Sequence, residues 1–162
     1  MRSGPIRTAA AFLLLALAGC TSPSPACTEI GSPSGIRVVV VDDLAGHLTR
    51  LGLDVCSDGK CRTVSVELTP GMTTRADDCP MTSDDSSCSA TAVPDGTLVG
   101  FAAIDELTAG HTSVGATATI AGKQRTFDAI TVDVTTTYPN GQACPAGGNQ
   151  GSLEVRRTGL VG

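Results

Sequence analysis

Seven cysteines, two histidines, a Ser-x-x-Lys string and a cluster of aspartates are the residues of this 162-residue chain whose chemistry could set its function. Ser57-Asp58-Gly59-Lys60 has the spacing in which a lysine activates a serine for acyl transfer. Enzymes that use this string set it at a helix start beside Ser-Asp-Asn and Lys-Thr-Gly partners, and neither partner occurs here. Gly31-Ser32-Pro33-Ser34-Gly35 puts Pro33 where a nucleophile elbow needs serine. His47 and His111 fall in different loops, and no motif presents either with a serine, a cysteine or a second ligand, so both read as solvated turn residues. Asp77, Asp78, Asp84 and Asp85 could offer oxygens to calcium. That ion needs six to eight converging oxygens, and the EF-hand order of Asp, Gly and terminal Glu is absent. The residues therefore point to no catalytic group, no resident metal and no cofactor, and the cysteines become the informative set.

The first cysteine has a context of its own. Arg2 and Arg7 precede ten apolar residues, 9–18, and small residues follow, which is the layout of a secretory signal peptide. Ten apolar residues are too few for a transmembrane helix, which takes about 20. The run closes on Leu17-Ala18-Gly19-Cys20, which resembles a bacterial lipobox. The resemblance implies diacylglycerol on the Cys20 thiol, cleavage before Cys20 and acylation of the new amine. Two or more acyl chains on one residue suffice for stable attachment where a single chain does not. Residues 1–19 are then a lipoprotein signal peptide and 20–26 the lipidated cysteine with a short tether. The expected location is the cell membrane, lipid-anchored on its extracytoplasmic side.

Removing the first 19 residues leaves 143, the span of one domain. It also takes Arg2 and Arg7, leaving 9 basic side chains against 16 acidic and a net charge of −7. Such a charge repels nucleic acid. Phe101, Phe127 and Tyr138 are the remaining aromatics and there is no tryptophan, so stacking platforms for bases or sugars are nearly absent.

With Cys20 assigned to lipid, six cysteines remain, an even number suited to a disulfide framework in an oxidising compartment. Cys56 and Cys61 flank Asp58-Gly59, the dipeptide that favours a two-residue type I′ hairpin turn. That turn sets Leu53 opposite Val64 and Leu51 opposite Val66 on one face, with Arg50 opposite Glu67 and Asp54 opposite Thr63 on the other. Slipping by one residue would reverse both faces. Cys56 then opposes Cys61 where Cα atoms approach to about 4.5 Å, close enough for a disulfide. A zinc reading of the same Cys-x4-Cys lacks a nearby histidine and a second cysteine pair. Cys79 and Cys88 bracket an acidic, serine-rich stretch that reads as a stapled loop. Cys27 and Cys144 are left to clasp the start of the domain to its penultimate loop.

The rest of residues 27–162 reads in strands. Residues 38–41 are β-branched, 48–56 and 61–68 form the hairpin, and 97–104 carry Val99, Phe101 and Ala103 at period two. Val114, Ala116, Ala118 and Ile120 share one face. After a turn at Ala121-Gly122-Lys123-Gln124, Ile130, Val132 and Val134 point inward, and Tyr138-Pro139-Asn140-Gly141 ends that segment. Leu153 and Val155 mark a last strand. Ile104-Asp105-Glu106-Leu107 has room for a single helical turn, and residues 69–96 show no strand pattern. These features give an all-β fold, an antiparallel β-sandwich of about seven strands braced by disulfides. Strand number and spacing resemble an immunoglobulin-like or prealbumin-like domain, without the buried strand tryptophan of antibody domains. The lipobox, Cys-Thr-Glu-Ile-Gly-Ser-Pro-Ser-Gly at 27–35, the Asp-Gly hairpin and Tyr-Pro-Asn-Gly before Cys144 are similar to uncharacterised actinobacterial-type secreted lipoproteins, and that resemblance implies location without an activity. The expectation is a non-catalytic envelope protein that binds a partner, such as another envelope protein. A calcium-stabilised adhesion module and an enzyme without a recognisable motif are the alternatives.

Overall fold

Side chains that alternate between core and solvent mark out the strands of the computed structural model, which describes residues 26–41, 44–76 and 89–162. The strands are β1 (Gly35–Val40), β2 (Leu48–Ser57), β3 (Lys60–Val66), β4 (Leu68–Ala76), β5 (Ala90–Ala103), β6 (Gly110–Ile120), β7 (Lys123–Thr136), β8 (Asn149–Arg156) and β9 (Gly159–Val161). They form one curled sheet in the order β3-β2-β6-β7-β8-β1-β5-β4, with β9 paired to β8. Only β1 and β8 run parallel. The fold is all-β, as the alternation predicts, but it is a nine-stranded curled sheet rather than a plain seven-stranded arrangement.

The β2–β3 hairpin has the register that its turn dictates as far as Leu51 and Val66, but Arg50 and Glu67 do not pair, because β3 ends at Val66 and Glu67 is drawn into the crossing to β4. Asp58 and Gly59 take φ of 49° and 74°, both left-handed as a type I′ turn requires. Leu51 pairs with Val66, Leu53 with Val64, Asp54 with Thr63 and Cys56 with Cys61. Leu53 is fully buried, whereas exposed Asp54 accepts a 2.6 Å hydrogen bond from Thr63 Oγ1. Ala121 and Gly122, at φ 48° and 76°, make a second such turn, so that Lys123 and Gln124 already belong to β7. Val114, Ala116 and Ala118 of β6 and Val132 and Val134 of β7 are buried, as their spacing implies. Residues 104–107 make one turn, closed by Leu107 N–H donating to Ile104 O at 3.1 Å.

Two strands lack a sequence signal. Only Gly71 is buried in β4, so its side chains show no alternation. The strand lies at the end of the sheet, and its bulge between Pro70 and Met72 accommodates a residue with no N–H to donate. β5 begins at Ala90 rather than near Thr97 and pairs with β4 along their shared length. β9 is three residues long.

A single residue, Glu67, separates β3 from β4, which occupy opposite ends of the strand order. The chain therefore crosses directly from one end of the curled sheet to the other and draws the ends together. Gly100 on β5 permits the crossing, because a Cβ there would stand 2.6 Å from both Glu67 O and Val66 Cγ1. Inside the curl, Ile36, Val38 and Val40 of β1 meet Leu53, Val55, Val114, Leu153 and Val155 in one core.

Candidate binding surface

The outer face of the larger part of the sheet carries side chains that the core does not use. On β1, Ile36, Val38 and Val40 point inward, so Arg37 and Val39 point outward. Register carries that outward face across its neighbours. Thr69 pairs with Val99, Val99 with Val39, Val39 with Glu154 and Glu154 with Val161, one row over β4, β5, β1, β8 and β9. A second row runs from Phe101 through Arg37 to Ser152. Val39, Val99 and Phe101 are half-buried and Val161 is 43% exposed.

Local backbone shapes this face. Gly35 lies beside the Phe101 ring, and a Cβ on it would come within 2.7 Å of two ring carbons. The bare glycine thus lets the ring lie flat against the sheet, the packing that stabilises strand glycines elsewhere. Arg37, Glu67, Thr69, Val99, Gly100 and Phe101 line a shallow hollow of about 470 Å³. Val39, Ser152, Leu153, Glu154, Val161 and Gly162 line its neighbour, of about 270 Å³. The result is an apolar band into which Arg37 and Glu154 are set, with Glu67 beside it. It can exclude water from a flat partner, and it brings no nucleophile and base together.

The residues singled out by chemistry are dispersed. His47 is exposed in the turn before β2. His111 is a correction to its loop placement: it lies on β6 opposite Asp133, with Nδ1 2.6 Å from Oδ1 and both side chains exposed. Ser57 and Lys60 flank the hairpin turn, where Ser57 Oγ lies 2.7 Å from Thr108 Oγ1. Glu106 pairs with Lys60 at 3.6 Å and with Arg62 at 3.0 Å. Spacing alone could not bring Glu106 to the hairpin, because the contact depends on how the chain crosses between strands. Among the described residues no three His, Cys, Asp or Glu side chains converge as a metal site would require. Nor is any helix among them long and apolar enough to cross a membrane.

Among the described residues two disulfides are formed. Cys56 and Cys61 join across the hairpin with Cα atoms 4.0 Å apart, and Cys27 joins Cys144 at 5.7 Å. Cys20, Cys79 and Cys88, together with Asp77, Asp78, Asp84 and Asp85, lie outside the described residues. The aromatics divide by role. Phe127 is in the core with the Arg125 guanidinium 4.8 Å above its ring, Phe101 is on the outer face and Tyr138 is exposed near the Cys27–Cys144 clasp.

The outward apolar band was hidden in sequence because β5 is apolar on both sets of alternate residues. Leu98, Gly100 and Ala102 face the core and Val99 and Phe101 face out, so the larger set is the exterior one. No family model, curated protein or solved structure matches this chain.

Proposed function

We propose that this chain is a non-catalytic, lipid-anchored envelope protein, held to the extracytoplasmic side of the cell membrane through Cys20, and that it binds a protein partner. The observation that carries the reading is the group Val99, Val39, Val161 and Phe101 on an outward sheet face, with Arg37 and Glu154 set among them and Glu67 beside them. Five strands side by side span about 19 Å, a width suited to the roughly 800 Å² that each partner contributes to an ordinary protein interface. Arginine beside aromatic and aliphatic side chains matches the composition of such interfaces. The acidic balance and the scarcity of aromatics argue for protein over nucleic acid or glycan. The curled sheet, with both halves sharing one core, is read as a sandwich of immunoglobulin-like or prealbumin-like kind to which β4 and β9 are added.

A photo-crosslinking side chain at Val39, in cells that produce the chain, tests the surface. A discrete adduct is expected from Val39 and none from Thr126, which is exposed on β7. Val39→Lys with Val99→Lys should abolish partner binding and leave folding intact. Identical adducts from both positions, or none from Val39, would reject this face. The anchor is tested separately. Cys20→Ser cannot form the thioether and should lose lipid labelling, so labelling that survives would reject the lipidation.

A further inference from the structure

We infer that the end of the domain bearing the Cys27–Cys144 clasp, with Ile30 and Tyr138 at its surface, rests in the interface of the bilayer; the inference builds on the proposed lipidation of Cys20. Cys27 lies seven positions after Cys20, and a fully extended chain of that length reaches about 25 Å. The clasp is therefore the part of the domain that the lipid holds nearest the membrane.

What the clasp presents suits that position. Ile30 is 65% exposed and Tyr138 44%, two of the four large apolar side chains most exposed among the described residues. Tyrosine favours the headgroup level, where its ring can be apolar while its hydroxyl stays wet. Charge is nearly absent from the two segments that carry them. No charged residue occurs between Asp133 and Glu154, and Glu29 is the only one between Cys20 and Arg37. In an acidic domain such a segment pair meets little repulsion from anionic headgroups.

The end is also built to hold its shape. Asn140 Nδ2 donates to Thr28 O at 2.9 Å and to Ile30 O at 3.0 Å, fixing the entry segment against the turn that follows Tyr138. Gly141 N–H closes that turn on Tyr138 O at 3.0 Å. Gly148 N–H donates to Ser32 O at 2.8 Å, and Gln150 Nε2 to Pro33 O at 2.8 Å. Ser32 and Thr137 join through their hydroxyls. A groove of about 330 Å³ runs between the two segments, past Cys27, Ile30, Pro139, Pro145 and Ala146. Preorganised apolar side chains enter an interface without a further ordering cost.

Tyr138 is the only tyrosine of a chain without tryptophan, so tyrosine emission reports this one ring. The full chain, made in cells that process lipoproteins and weighed intact, is reconstituted in zwitterionic phosphatidylcholine vesicles. Nitroxide lipids labelled at the headgroup–acyl boundary, the depth of about 5–10 Å reached by interfacial apolar groups, should roughly halve its emission relative to unlabelled vesicles. Ile30→Asp should restore the emission, whereas Met72→Asp, also exposed but on β4, should not. Undiminished emission from a chain whose mass includes the lipid overturns the membrane-facing assignment and leaves the anchor standing. A mass without lipid overturns the anchor, and the assignment with it.

Discussion

Neighbouring side chains on the hairpin have opposite fates, and this makes the register testable one residue at a time. Leu53 is fully buried, so Leu53→Asp places a carboxylate without a partner in the core and should cost more than about 3 kcal/mol. Asp54→Leu removes one exposed hydrogen bond to Thr63 and should cost no more than about 1 kcal/mol. Urea denaturation monitored by circular dichroism measures both, and equal losses would contradict the pairing. Asp95 offers a second test at this scale. The Thr97 hydroxyl at 2.7 Å and its backbone N–H at 2.9 Å donate to the Asp95 carboxylate and hold its pKa below the ordinary aspartate value. A depressed folded-state pKa means that the stabilisation is present above the unfolded pKa and is lost as pH falls through the folded one. A carboxyl-carbon NMR titration should place the Asp95 midpoint below the ordinary aspartate value, and Thr97→Val should move it up.

Among the elements, the strands legible in sequence are those with one wet face. β2, β6 and β7 alternate clearly, and the Asp58-Gly59 turn adds a local constraint that sets the β2–β3 register. β4 was illegible because a strand exposed on both faces carries no periodic apolar signal, and Pro70 argued against one. The candidate binding surface was illegible for a different reason: period two reveals that faces differ without revealing which is inside. On β5 the answer depends on the Val66–Glu67–Leu68 crossing, which occupies the inner side and leaves space only for glycine at position 100. Gly100→Ala should therefore destabilise by about 1–3 kcal/mol, the usual range for overpacking. Gly52, in the middle of β2, meets nothing closer than 3.9 Å at its Cβ position. Gly52→Ala should be neutral or stabilising by up to about 1 kcal/mol through the unfolded chain. Thermal melts of the two variants separate them, and a similar loss in both would mean that the crossing does not press on β5.

For the molecule as a whole, the two described disulfides close rings of very different size. Cys27 and Cys144 are separated by 117 positions and Cys56 and Cys61 by 5. Chain-entropy reasoning gives about 5 kcal/mol for the first and about 2 kcal/mol for the second. Cys27→Ser with Cys144→Ser should accordingly lower the urea midpoint more than Cys56→Ser with Cys61→Ser, and the reverse order would show that the hairpin staple resists local strain rather than limiting chain freedom. The long ring and the parallel pairing of β1 with β8 have one origin, since the first strand completes its place in the sheet only beside a strand near the other end of the chain. For a polypeptide threaded amino end first through a narrow secretion pore, Ile36, Val38 and Val40 lack one wall until residue 155 has emerged. On the proposed route of export, completion of the core on the far side of the pore is thereby postponed until that strand is clear. Chains arrested in transit before residue 149 should remain open to protease, and those with residue 162 clear of the pore should resist it. Topology in this way sets the moment of folding as well as the shape.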